Sequence, residues 1–146
     1  MTRNASAIWR GDLKSGRGAI STGSTVLKDT PYSFGTRFEN GPGTNPEELV
    51  GAAHAGCFSM ALSAMLGGAS MAPERIETTA TVTIEPVDGK PTITIIHLVC
   101  RASVPGADPA KFNEMAQGAK AGCPVSRALA GTKITLDAKL ETGAAR

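Results

Sequence analysis

The stretch GTNPEELVGAAHAGCFSMALSAML, residues 43–66, constrains the rest of the fold. Asn45 is placed to N-cap a helix, Pro46 fits its first position, and Glu48 completes a capping box. The helix is expected to run to about Leu66 and to stop at Gly67–Gly68. Along it only Glu47, Glu48 and His54 are clearly polar. A helix that is apolar or small on almost every side is expected to be buried on all sides. A chain of 146 residues has little with which to wrap it, so a tight homodimer is expected.

Towards the N-terminus, SAIWRG (6–11) and GAIST (18–22) read as short strands joined by a glycine-rich turn at Lys14–Gly18. PYSFGTRFE (31–39) alternates as a strand would. Tyr32, Phe34, Thr36 and Phe38 fall on one face, and Ser33, Gly35, Arg37 and Glu39 on the other. Past the helix, TTATVTIEPV (78–87) and KPTITIIHLVCRASV (90–104) are strand-rich, with a hairpin turn between them at EPVDGKP. Asp108–Pro109 reads as a second N-cap and first-position pair, opening a helix to about Ala121. Gly122-Cys123-Pro124 interrupts it, PVSRALA forms a short third helix, and KITLDAKLE (133–141) is the last strand. Two blocks of antiparallel strands with helices between them predict an α+β fold, one domain over residues 1–146.

Composition narrows the function. Lys and Arg number 15 against 13 Asp and Glu, a net charge of only +2, and no basic stripe with interleaved aromatics appears. That balance argues against nucleic acid as the partner. The N-terminus lacks the apolar core of a secretory signal. The longest apolar stretch, about Cys57 to Leu66, reads as too short and interrupted to span a bilayer. Three cysteines, an odd count, argue against an extracellular disulfide framework. A soluble cytoplasmic protein is the expectation.

The three cysteines differ in setting. Cys100 shares a strand face with Ile96, Leu98 and Ala102, as a small buried hydrophobe would. Cys123 lies between helix-breaking Gly122 and Pro124, at the N-cap of the next helix. There it is either a plain turn residue or a thiol drawn towards thiolate by free N–H groups and the helix dipole. Cys57 sits about three turns into its helix, where burial alone would raise its pKa. Its reactivity would need a cation from another element. Arg37 is the best candidate, because a buried guanidinium must find an anion. The alternative is an ordinary Arg37–Glu39 pair on a solvated face.

GTNPEELVGAAHAGCFSMALS, followed 66 residues after Cys57 by the cysteine of AKAGCPVS, resembles the osmotically inducible protein C (OsmC) family. That family is related to the organic hydroperoxide resistance (Ohr) proteins. AIWRGDLKSGRGAIST, PYSFGTRFE and Val104-Pro105-Gly106 extend the resemblance over almost the whole chain, and His54 in GAAHAGCF favours the OsmC branch. The resemblance implies an intertwined α+β homodimer with antiparallel sheets wrapped around the long buried helix. It implies a thiol-dependent peroxidase for organic hydroperoxides and, less efficiently, hydrogen peroxide, in defence against oxidative and osmotic stress. By the same resemblance Cys57 is the peroxidatic cysteine and Cys123 the resolving one. Arg37 activates the thiolate and Glu47 holds that arginine. No metal or bound organic cofactor is implied, and the electrons come from an external dithiol such as a lipoylated protein or dihydrolipoamide.

Those assignments make chemical sense. Attack by the Cys57 thiolate on a peroxide oxygen expels an alkoxide and leaves a sulfenic acid. Arg37 can stabilise both the thiolate and the charge developing on oxygen. Cys123 then forms a disulfide with Cys57, and dithiol exchange resets the pair. Phe34, Phe38 and Phe58 could favour a substrate with a hydrocarbon tail or simply pack the core. Ten residues of helix put Glu47 about 15 Å from Cys57 along the axis, so one guanidinium would struggle to reach both. Each site is therefore expected to draw on both subunits, with at least one of Arg37 and Glu47 coming from the partner. His54, one turn before Cys57, could tune it or serve structurally.

Other classes fit less well. A metal site from Cys57, Cys123 and His54 lacks C-x-x-C or H-E-x-x-H spacing. The missing C-x-x-C also argues against a thioredoxin-like exchanger, and nothing marks His54 or His97 as the base of a cysteine hydrolase. A non-enzymatic redox sensor using the same disulfide is the main alternative.

Overall fold

The structure is a computed structural model that describes residues 1–141. The chain divides into two compact units, Met1–Leu49 and a second beginning at Val50.

The first unit carries a three-stranded antiparallel sheet of β1 (Ala5–Arg10), β2 (Arg17–Thr22) and β3 (Thr30–Tyr32), in that order. Trp9 and Tyr32 flank Gly18 in the β1–β2–β3 ladder, and their rings lie 5.5 Å apart. A Cβ at Gly18 would stand 2.3 Å from Tyr32 and 2.7 Å from Trp9, so only glycine lets the two aromatics close over this strand.

The expected strand over PYSFGTRFE stops at Tyr32. Residues Phe34–Phe38 instead form a short helix, α1. The reason is local. Ser33 Oγ accepts from the Thr36 N–H, and Thr36 Oγ1 accepts from the Ser33 N–H, a closed capping box. Alternating aromatics imitated a strand, while the hydroxyls at Ser33 and Thr36 set a helix start. Arg37 is therefore a helix residue rather than one on a strand face.

The long helix α2 spans Pro46–Gly68. Its N-terminus is close to the expected one: the Glu48 N–H donates to Asn45 Oδ1 at 2.8 Å. The carboxylate of Glu48, however, accepts from Thr44 Oγ1. Past its end, Ser70 takes φ 58°.

One expectation about α2 needs correction. At 23 residues, with a mean hydropathy of 1.6 over its most apolar window, it has the length and composition to cross a bilayer. Its glycines and serines do not interrupt it. Within the single chain α2 is covered on one side. A stripe of Gly51, His54, Phe58, Leu62 and Leu66 is buried, while Ala52, Ala53, Gly56, Met60, Ser63 and Ala64 are exposed, Met60 at 76%. Small side chains on the exposed stripe hid this one-sidedness from the sequence, because alanine and glycine score as apolar wherever they point.

The second unit holds the other sheet, in the order β4 (Arg75–Val87), β5 (Lys90–Ser103) and β6 (Lys133–Glu141). β4 and β5 form the expected hairpin, turning at Asp88 and Gly89, both with positive φ. β6 lies parallel to β5, pairing Ile95 with Lys133 through Ser103 with Glu141. The sheet is thus mixed, which corrects the all-antiparallel expectation. The connection over residues 104–132 contains two helices, long enough to return the chain in the same direction. Those helices are α3 (Pro109–Gly122) and α4 (Pro124–Ala128).

The core of this unit lies between α2 and β5. Phe58, Leu62 and Leu66 meet Ile96, Leu98, Cys100 and Ala102, all fully buried, with Phe112, Ala116 and Ala119 of α3 joining them. Each large side chain buried there contributes roughly 2 kcal/mol. Ser59 of α2 also bonds Thr78 of β4 at 2.7 Å, which helps hold the middle of the helix in register on the sheet.

Candidate active site

Two clusters hold the residues singled out in the sequence. In the first unit, Arg37 Nη2 lies 2.8 Å and Nε 3.0 Å from Glu47 Oε1, with Nε also 3.3 Å from Oε2. The Nε–Nη2 edge of the guanidinium is thus engaged by one carboxylate, a geometry lysine could not reproduce. Glu47 is buried, whereas Arg37 is exposed, at 38% of its side chain. The alternative Arg37–Glu39 pair does not form among the described residues. The pair closes within one chain.

Arg37 borders an apolar cavity of about 260 Å³ lined by Trp9, Leu13, Tyr32, Phe34 and Phe38. Its guanidinium carbon sits 5.2 Å over the Phe38 ring, and Phe34 and Phe38 stack at 5.0 Å. Phe34 and Phe38 thus line a cavity rather than a closed core, and Phe38 is 40% exposed. Phe58 is different: it is a fully buried core residue of the second unit. Trp9, Leu13 and Tyr32 were not foreseen as cavity residues. Their only signal was an apolar character that strand packing explained equally well.

In the second unit, Cys57 packs against the buried cluster that contains Cys123, and both are free thiols. Burial pushes the Cys57 thiol up. The backbone N–H of Val125 opposes this, while the neighbouring Cys123 thiol reinforces it. Cys57 is half-buried, so a reagent can reach it, whereas Cys123 is fully buried behind it.

Cys123 stands at the junction of two helices. Its N–H closes α3 onto the Ala119 carbonyl at 3.0 Å, and its sulfur caps α4 by accepting from the Ser126 N–H at 3.3 Å. Pro124 occupies the first position of α4, so the chain turns at Cys123. The N-cap placement expected from Gly-Cys-Pro is therefore present.

His54 is fully buried, and Nε2 lies 2.7 Å from Ser126 Oγ. Burial holds its pKa below the usual histidine value. Ser126 Oγ is in turn 3.1 Å from Cys123 Sγ. The imidazole thus reaches the Cys123 side of the site. Sequence reasoning missed Ser126 entirely. Its only signal was its position three residues after a candidate N-cap.

Cys100 shows the expected strand geometry, buried between β4 and β6 with its thiol pushed up by burial. Among the described residues no group of three or more His, Cys, Asp or Glu side chains is arranged to hold a metal ion.

A family model for OsmC-like proteins matches residues 39–138, and the chain belongs to that family. It is 53% identical over 140 residues to the peroxiredoxin OsmC of Escherichia coli strain K12, covering 96% of this chain and 97% of that protein. Among solved structures, the organic hydroperoxide resistance protein OhrB of Bacillus subtilis superposes with a TM-score of 0.65 at 25% identity, covering 93% of this chain and 98% of that one. An OsmC-like protein from Mycoplasma pneumoniae superposes with a TM-score of 0.73 at 15% identity, covering 96% and 97%. The α+β fold, with two sheets and a long helix, is the one these structures share.

Proposed function

We propose that this protein reduces organic hydroperoxides, and hydrogen peroxide less efficiently, to alcohols or water through a Cys57–Cys123 thiol cycle. The chain is a peroxiredoxin-like thiol peroxidase, on the strength of its 53% identity with the E. coli peroxiredoxin. The observation that supports the two-cysteine cycle is the packing of the half-buried Cys57 against the core cluster that holds the buried Cys123, both as free thiols.

In the first step the Cys57 thiolate attacks the distal oxygen of ROOH. The O–O bond breaks, RO⁻ leaves and takes up a proton, and Cys57 becomes a sulfenic acid. Burial works against the thiolate, so a fixed cation is needed, and Arg37 held by Glu47 is the one assigned here. The aromatic cavity beside Arg37 suits a hydrocarbon tail on the peroxide. In the second step Cys123 attacks the sulfenic sulfur, a disulfide forms and water leaves. An external dithiol, a lipoylated protein or dihydrolipoamide, restores both thiols in two exchanges.

The working form proposed is a cytoplasmic homodimer in which both units of the chain act as one domain. The exposed stripe of α2 and the exposure of all six β1 residues, Ile8 and Trp9 among them, support a partner copy. Ten residues of rise, about 15 Å, separate Glu47 from Cys57 on α2. The Arg37–Glu47 pair of one subunit is therefore assigned to Cys57 of the other.

The test supplies an organic hydroperoxide and dihydrolipoamide to purified protein and follows peroxide loss over many equivalents. Sustained consumption is expected. A parent protein that stops after one equivalent despite fresh dithiol would be a redox sensor instead.

A further inference from the structure

The buried hydrogen-bond chain behind Cys123 has no part in the cycle above. Cys123 Sγ, Ser126 Oγ and His54 Nε2 follow one another at 3.1 Å and 2.7 Å, and each of these residues is at most 4% exposed. The other ring nitrogen of His54, Nδ1, is buried with no hydrogen-bond partner among the described residues. Leaving a polar atom so placed is unfavourable. Phe58 and Leu62 fill the next two positions of the same buried stripe without that cost. A histidine here is therefore poorly explained by packing, and its one polar contact leads to the sulfur of Cys123.

We propose that Ser126 is a catalytic residue, and His54 a positioning and proton-holding residue, for disulfide formation, acting on Cys123 rather than on Cys57. The inference rests on the two-cysteine cycle proposed above. With Cys123 as a thiol, its S–H donates to Ser126 Oγ, and the Ser126 hydroxyl donates to His54 Nε2. As Cys123 attacks the sulfenic sulfur of Cys57, its proton passes to Ser126 Oγ and the hydroxyl proton passes to Nε2. The S–O bond of the sulfenic acid breaks with its electron pair on oxygen. The proton held on His54 returns through Ser126 to that oxygen, which leaves as water. One S–S bond has formed, one S–O and one S–H bond have broken, and no outside acid or base is required.

The surroundings suit this traffic. Burial disfavours a lasting imidazolium, so His54 gives the proton back rather than keeping it. The Ser126 N–H, at 3.3 Å, holds the sulfur in line whichever way the hydroxyl points.

Single-turnover kinetics with one equivalent of cumene hydroperoxide separate the two steps, following sulfenic acid and disulfide by rapid quench and mass spectrometry. Ser126→Ala and His54→Gln are expected to form the sulfenic acid as the parent does but to form the disulfide about 10²-fold more slowly. Ser126→Thr, which keeps the hydroxyl, should retain the parent rate. A deuterium solvent isotope effect on the disulfide step should disappear in Ser126→Ala. Glutamine can hold Ser126 but cannot carry a proton between its atoms, so parent-like disulfide formation in His54→Gln would overturn the proposal. His54→Gln decides the matter if Ser126→Thr does not fold. Both steps slowing together, with a lower Tm, would also overturn it by revealing a structural pin. If the parent itself forms sulfenic acid but no Cys57–Cys123 disulfide, the two-cysteine cycle fails and takes the relay with it. An intact parent cycle with unaffected variants removes the relay alone.

Discussion

Cys100 and Cys123 are buried to the same degree in one hydrophobic core, yet they stand in opposite chemical settings. Cys100 lies in mid-sheet, where β5 has spent its backbone hydrogen bonds on β4 and β6. Besides a Thr78 hydroxyl and the more distant Arg101, little opposes the burial that keeps it a thiol. Cys123 lies where one helix ends and another begins, and the first N–H groups of a helix have no partner within it. One of them, on Ser126, turns to its sulfur, and a hydroxyl and a second thiol complete the setting. Burial alone therefore does not decide which cysteine reacts. The two settings differ instead in their polar neighbours, which a helix start supplies to Cys123 and a mid-sheet position withholds from Cys100.

The contrast can be broken by substitution. The largest effect is expected at Cys57→Ser, which should lower peroxide turnover with dithiol by on the order of 10³-fold or more. Retained turnover would mean that another sulfur is attacked. Next comes Arg37→Met, which should cost about 10²-fold in the rate of Cys57 oxidation and move its rise to higher pH. The sign follows from the thiol: burial already pushes Cys57 up, and losing a cation leaves less thiolate at any given pH. Mixing Arg37→Met and Cys57→Ser subunits should restore one working site per mixed dimer. No recovery would place the arginine and the cysteine of a working site in the same subunit.

Cys123→Ser is expected to let the first equivalent of peroxide react while the sulfenic acid persists and overoxidises, seen as added oxygen by mass spectrometry. Cys100→Ala should leave turnover untouched and lower stability by about 1 kcal/mol, or about 3 °C in Tm. A loss of activity there would erase the distinction drawn between the two buried cysteines. The smallest effect is on stability in acid. Folded His54 takes up a proton less readily than unfolded His54, whose ordinary value is 6.5. Its contribution is complete above that pH and is lost as pH falls through it towards the folded value. Denaturant unfolding between pH 7.5 and 5 should show a shallower decline for His54→Gln than for the parent.

Some of this was legible in the chain and some was not. Asn45-Pro46, Asp108-Pro109 and Cys123-Pro124 marked three helix starts correctly, because a cap acts within one turn of its own residue. The Asp88-Gly89 turn and the inward face of Ile96, Leu98, Cys100 and Ala102 were equally local, the latter because strand side chains alternate. The alternation at residues 31–39 misled because two local signals competed, and the Ser33–Thr36 box prevailed over the aromatic pattern. The parallel pairing of β6 escaped because strand direction depends on the whole path between strands rather than on residues within them.

The sequence by itself determined the helix starts, the β4–β5 hairpin, the buried strand face of Cys100, the N-cap position of Cys123 and the resemblance that pointed to a peroxidase. These are encoded by neighbours within a few residues or by motifs that survive as strings. Only the tertiary structure decided that Glu47 meets the Nε–Nη2 edge of Arg37, that Ser126 joins His54 to Cys123, and that the chain covers α2 on one side. Hydrogen bonds and ion pairs act over about 3 Å in space, whereas His54 and Ser126 lie 72 residues apart along the chain. No local pattern carries that information. It exists only once the core has brought α2 and α4 together.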